Sequence, residues 1–165
     1  MSDSKKTLAV FAEKSDWVTE MNLISGPGRD EYVDIRQRKK DGSMEGRGVT
    51  LTLDELRKLV TAYIEWEEEG GCLAKVSVIK GPETQKLRIL QRLAVLGRTK
   101  DEWNKELNIT SFNERAPMFD VREWHPEHPK RRIGKTFTES DMDTIAFAFE
   151  EHFGPVPHKK EHWWE

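Results

Sequence analysis

At 165 residues the chain has room for one ordinary domain or two very small ones, and no run in it approaches the ~20 apolar residues that span a bilayer. With 36% hydrophobic and 35% charged residues it is polar yet globular rather than disordered. The net charge of -3 excludes a uniformly basic, histone-like chain but not nucleic-acid binding, which depends on where the positive charge sits. The single cysteine, Cys72, excludes an internal disulfide, and the polar start Met1–Lys6 lacks a signal-peptide core, so a soluble cytoplasmic protein is expected.

In chain order, a first strand is expected over Leu8–Ala12. Trp17–Ser25 alternates, with Trp17, Met21 and Leu23 on one face and Glu20 and Asn22 on the other, as a half-buried strand does. Gly26-Pro27-Gly28 marks a turn. The next strand puts Val33 and Ile35 inward and Tyr32, Asp34, Arg36 and Arg38 outward. Asp41-Gly42 signals a second turn before a short strand at Val49–Leu51. Thr52-Leu53-Asp54-Glu55 is a capping box, and Leu53, Leu56, Val60, Tyr63 and Ile64 recur at helical spacing until Gly70-Gly71. The Cys72–Lys80 stretch is a candidate extra strand in a linker.

The order then repeats. At an offset of 86 residues, Lys14, Trp17, Glu20, Asn22, Ser25 and Arg29 fall on Lys100, Trp103, Glu106, Asn108, Ser111 and Arg115. Asp34, Arg36, Gly48, Thr50 and Thr52 fall on Asp120, Arg122, Gly134, Thr136 and Thr138. The second copy predicts strands at Leu87–Leu96, around Trp103–Ile109, around Phe119–Trp124 and at Lys135–Phe137, with a turn over Asn113–Pro117. A weaker box, Thr138 to Asp141, opens a helix carrying Met142, Ile145, Phe149 and Phe153 and stopped by Gly154-Pro155. The expected fold is α+β: two tandem β-β-β-β-α units at 1–69 and 87–154, a linker at 70–86 and a tail at 155–165. One unit is too small to bury much apolar surface, so the copies are expected to share a core as a monomeric pseudo-dimer; a swapped homodimer is the rival.

Tyr32-Val33-Asp34-Ile35-Arg36 followed by the run Gly42–Thr52 resembles the positive-cofactor-four family of transcriptional coactivators. Trp103–Asn108, Phe119–Trp124 and Gly134–Thr138 are similar to that family's bacterial and phage branch. The resemblance implies a curved four-stranded antiparallel sheet with a helix, pairing into dimers, and binding of single-stranded DNA on the paired sheets. It places Phe112 and Trp124 where that branch carries aromatic residues available to bases. Copy one departs from the pattern, with Gly26 and Arg38 at those positions.

Single strands are held by positive charge along the backbone and by flat side chains on which bases stack. The candidate nucleic-acid-binding residues are Arg36, Arg38, Lys39, Lys40 and Arg47 from the first copy, and Phe112, Arg115, Arg122, Trp124, Arg131, Arg132 and Lys135 from the second. The bland alternative is a solvated charged surface. Asp34 and Asp120, two residues before Arg36 and Arg122, either orient those guanidinium groups for a ligand or tie them up. Trp17 and Trp103 read as core or as stacking platforms, and Phe147 as a residue at the interface between copies.

Catalysis finds no motif: Cys72 has no evident base beside it, and His125-Pro126-Glu127-His128 reads as a turn rather than a metal site. No enzyme activity, metal or cofactor is expected. Two functions are carried forward. The first is sequence-nonspecific binding of single-stranded DNA, or RNA, in transcription, replication or recombination by a nucleoid-associated protein. The second is a protein-interaction module of the transcription machinery. Trp163 and Trp164 make the tail a candidate docking segment for a protein partner, or a flap over the protein's own binding face.

Overall fold

Alternating strands and two capped helices appear in the order the repeat demands. The computed structural model describes residues 3–79, 86–128 and 130–156. The first half runs β1 (Ser4–Val10), β2 (Trp17–Gly26), β3 (Arg29–Lys39), β4 (Glu45–Thr52) and α1 (Leu53–Glu68). The second runs β5 (Leu87–Arg98), β6 (Asn104–Phe112), β7 (Met118–Trp124), β8 (Lys135–Phe137) and α2 (Glu139–Phe153). Each half is an antiparallel four-stranded meander, ordered β1-β2-β3-β4 and β5-β6-β7-β8. The fold is α+β, and each sheet precedes its helix.

The duplication is exact in register where it matters. Glu20 faces Arg36 and Asp34 faces Thr50 in the first sheet; Glu106 faces Arg122 and Asp120 faces Thr136 in the second. Both capping boxes form. Thr52 Oγ1 accepts from the Glu55 amide at 3.0 Å and Glu55 returns a carboxylate to the Thr52 amide at 2.9 Å. Thr138 and Asp141 repeat this at 3.0 Å each way. Satisfying these free amides fixes where each strand gives way to its helix.

Two expectations are corrected in this frame. Residues 72–79 form no strand; Leu73–Lys75 is a single 3-10 turn. The Leu73 amide donates to Glu139 Oε1 at 2.5 Å, so a carboxylate at the start of α2 takes the hydrogen bond a strand neighbour would need. The first strand begins earlier than Leu8, and β5 runs to Arg98 with three register shifts against β6. Residues 80–85 of the linker and the tail tryptophans, Trp163 and Trp164, lie outside the described residues.

A single apolar cluster joins the halves. The inward faces Met21, Val33 and Ile35 of one sheet and Leu107, Phe119 and Val121 of the other belong to the same core. The α1 helix packs against β5, and α2 against β1. Phe119 meets Tyr63 and Trp66 of α1 edge-on, at centroid distances of 5.3 and 5.0 Å. Tyr63 donates its hydroxyl to Asp143 Oδ1 of α2 at 2.5 Å, and Lys105 of β6 reaches Glu55 of α1 at 2.9 Å. Burying a large side chain of this kind is worth roughly 1.5–3 kcal/mol. Neither small sheet could supply that cover for its own helix. Among the described residues, no helix is long and apolar enough to cross a membrane.

Candidate nucleic-acid interface

A polar row crosses each sheet on the face away from the shared core. It reads Thr7, Asn22, Asp34, Thr50 in the first half and Arg92, Asn108, Asp120, Thr136 in the second, each residue paired with the next across the strands. Alternation predicts these positions to be solvated. Instead the middle of each row, Asn22 and Asp34 or Asn108 and Asp120, is buried, as is the neighbouring Glu106, while Thr7, Thr50 and Arg92 are exposed. The buried groups are partly satisfied by hydrogen bonds, Thr7 to Asn22 at 2.8 Å, Arg92 to Glu106 at 2.7 Å and Asn108 to Glu106 at 3.0 Å, with Asn22 Nδ2 and Asn108 Oδ1 left without a partner among the described residues.

The aspartate-arginine pairs form in both halves. Arg122 grips Asp120 with Nε–Oδ1 at 2.7 Å and Nη2–Oδ2 at 2.5 Å; Arg36 holds Asp34 more loosely, at 3.1–3.3 Å. A glycine opposite each makes this possible. A Cβ at Gly48 would stand 2.8 Å from Arg36 Cζ, and one at Gly134 would collide with Arg122 and the Val121 carbonyl. Burial pushes the Asp120 carboxyl up, with Arg122 and Arg131 pulling against it, whereas the hydrogen bond to Asp34 pushes the Arg36 guanidinium up. Both arginines therefore spend most of their donors inside the protein. Even so, they flank one groove at the seam where β4 meets β8, with Lys105 and the exposed Ile133.

The richest convergence is a groove of ≈ 330 Å³ on the second half. Arg47, reaching over from β4, joins Phe112, Arg115, Met118, Arg122 and Arg131 there. Phe112 is 45% exposed at the end of β6, and the Arg115 guanidinium lies 5.8 Å from its ring centroid. The turn that presents Arg115 carries Asn113 and Glu114 at positive φ, and the Arg115 amide returns to the Phe112 carbonyl at 3.0 Å. Arg47, Arg115 and Arg131 are exposed and have no ion-pair partner among the described residues.

Met118 and Thr136 line this groove and a second one of ≈ 250 Å³, so the two run together. The continuation adds Lys14, Trp17, Gln37 and Lys135. Burial holds the Lys135 ammonium below its ordinary range; Asp141 pulls against this, and the neighbouring Lys14 and Arg47 add to the lowering. Among the described residues that line the two grooves, Lys14, Arg47, Arg115, Arg122, Arg131 and Lys135 stand against one carboxylate, Asp141.

Other candidates are engaged by neighbouring side chains. Arg38 is held by Glu20 and Glu45, each at 3.0 Å, and Lys40 by Glu13 at 2.6 Å. Lys39 sits 5.9 Å over Trp17. Arg132 bonds Asp101 at 2.5 Å and Glu123, and covers Trp103 at 4.2 Å. Those interactions lower the Asp101 carboxyl to about 2 and push the guanidinium up.

Trp124 is only 8% exposed, and it stands at the edge of a separate groove of ≈ 700 Å³ with Arg92, His128 and Arg131. The loop after it folds back, with His125 N–H donating to the Lys130 carbonyl at 2.9 Å and Arg132 N–H to the Glu123 carbonyl at 3.0 Å. His125 Nδ1 accepts from the Glu127 and His128 amides at 3.1 and 3.2 Å, so this run is a turn. Phe147, placed by the sequence at an interface, is 71% exposed.

Sequence reasoning passed over Lys14, Gln37 and Met118. Lys14 stood in the repeat alignment, but its twin Lys100 carries the same signal without lining this groove. No group of three or more metal-ligating side chains occurs among the described residues. The sequence matches no model of a known protein family and no curated protein.

Proposed function

We propose that this chain binds single-stranded nucleic acid, DNA in the first instance, along the track from Phe112 to Trp17. The observation that carries the reading is the groove in which Arg47, Arg115 and Arg131 surround the exposed ring of Phe112. Cations spaced along a strand-built surface neutralise phosphates, and an exposed ring stacks a base of any identity, so the binding is sequence-tolerant. Neither helix presents itself for a major groove, since both pack on the shared core, and single strands are preferred over duplex.

In this reading the two units act as a pseudo-dimer of coactivator-like sheets, curved around the strand, in transcription, replication or recombination at the nucleoid. The deciding experiment is a mobility shift of labelled oligo-dT at two salt concentrations, with duplex as competitor. Micromolar or tighter, salt-sensitive binding that duplex does not match supports the reading. No shift at low salt overturns it and leaves a protein-interaction module.

A further inference from the structure

The helices carry a surface of opposite character. Where α1 and α2 run side by side, a cleft of ≈ 690 Å³ opens with an apolar floor of Ile64, Ala146 and the exposed Phe147. Its rim is acidic: Glu67 and Glu68 on α1, Glu150 and Glu151 on α2. Carboxylates crowd there, and burial with the nearby Asp143 pushes the Glu67 carboxyl up. A phenylalanine left open among carboxylates asks for an occupant that is both aromatic and basic.

We propose that the chain's own last residues, 157–165, occupy this cleft, with Trp163 and Trp164 on the apolar floor and Lys159 and Lys160 against the acidic rim. That segment reads Pro157-His158-Lys159-Lys160-Glu161-His162-Trp163-Trp164-Glu165, the one place in the sequence where paired lysines and paired tryptophans adjoin. The chain leaves α2 through Gly154 and is pinned by Val156, which is buried in the core. Val156 is six positions beyond Glu150, and the nine residues that follow can reach about 30 Å, ample to return to the cleft. Tethering holds them at an effective concentration of about millimolar, so weak attraction suffices. This inference is independent of the nucleic-acid reading.

The test compares amide NMR spectra of the full chain and of a chain ending at Val156. Removal of 157–165 is expected to shift the signals of Ile64, Glu67, Phe147 and Glu151. The full-length variants F147E and E150K/E151K should reproduce the truncated spectrum at the remaining cleft residues, and raising salt should move the full chain part-way towards it. The full-chain shifts should not change on dilution. Changes confined to residues next to Val156, or falling on Arg47 and Phe112, overturn the proposal. So do shifts that grow with protein concentration, because the occupant is then the tail of a second copy.

Discussion

The positions around Phe112 have counterparts in the first half on the same register, and the side chains there differ. Where the second half has Phe112, the first has Gly26; where it has Arg131, the first has Glu45; Arg115 corresponds to Arg29. Arg29 is paired with Asp3, and Glu45 takes Arg38 at 3.0 Å and Arg36 at 4.0 Å. The position of Arg47 is taken in the second half by Ile133, so the seam groove beside Arg36 gains an exposed apolar side chain instead of a cation. The two halves share the strand register, the Asp-Arg pairs and the capping boxes. They differ in a handful of side chains: the second half gathers exposed cations around Phe112, the first pairs most of its own with carboxylates, and Arg47 of β4 crosses the seam.

The largest expected effects concern positions where the halves differ in burial. Trp124→Ala should cost about 3–5 kcal/mol of stability in urea unfolding, because it removes a buried ring, while Arg38→Ala at the matching position should cost far less. Oligo-dT affinity of folded Trp124→Ala protein should be little changed; a loss as large as that of Phe112→Ala would return Trp124 to the binding face.

The Asp-Arg pairs allow a second contrast. Arg122→Ala should destabilise by about 3–5 kcal/mol, since it leaves Asp120 buried without a counter-charge. Arg36→Ala should cost less, because the Arg36 and Asp34 side chains keep 28% and 12% exposure against 10% and 0% for Arg122 and Asp120. Equal losses by thermal or urea unfolding would mean that the halves are energetically alike.

Binding sharpens the comparison further. Phe112→Ala should weaken oligo-dT binding by about 1–3 kcal/mol with the salt slope unchanged, since a stacking face disappears and no charge does. Replacing Arg47 and Arg131 by alanine together should flatten the dependence of log affinity on log salt, by roughly 0.7 for each phosphate that is no longer neutralised. The pair Lys39 and Lys40 should do less, as Lys40 already has Glu13 and Lys39 lies over Trp17. A flatter slope from the lysine pair than from the arginine pair would move the site to the first half.

The smallest effect separates the helices, where Glu67 of α1 stands at the position of Phe153 in α2. The folded protein holds the Glu67 proton more tightly than the unfolded chain, so this group lowers stability as pH rises from its ordinary value of 4.5 through its raised folded value. Glu67→Gln should therefore gain slightly on the parent in melting temperature at pH 7, with the gain shrinking towards pH 4. A variant less stable than the parent at pH 7 would show that the ionised carboxylate is held by a favourable interaction.

The sequence by itself determined the element order, both capped helices, the duplication and the inward faces, because periodicity and capping are local and a repeat states them twice. Charge read one residue at a time put Arg47, Arg115 and Arg131 among the candidates, and the family resemblance added Phe112. Only the tertiary structure decided which cations meet. Arg38, Lys40 and Arg132 look the same on paper as Arg47 and Arg131, yet among the described residues carboxylates from elsewhere in the chain hold the first three and not the last two. The same holds for burial of the polar row and of Trp124. A strand's alternation says which residues share a face, whereas what lies over that face depends on loops and sheets distant in the chain.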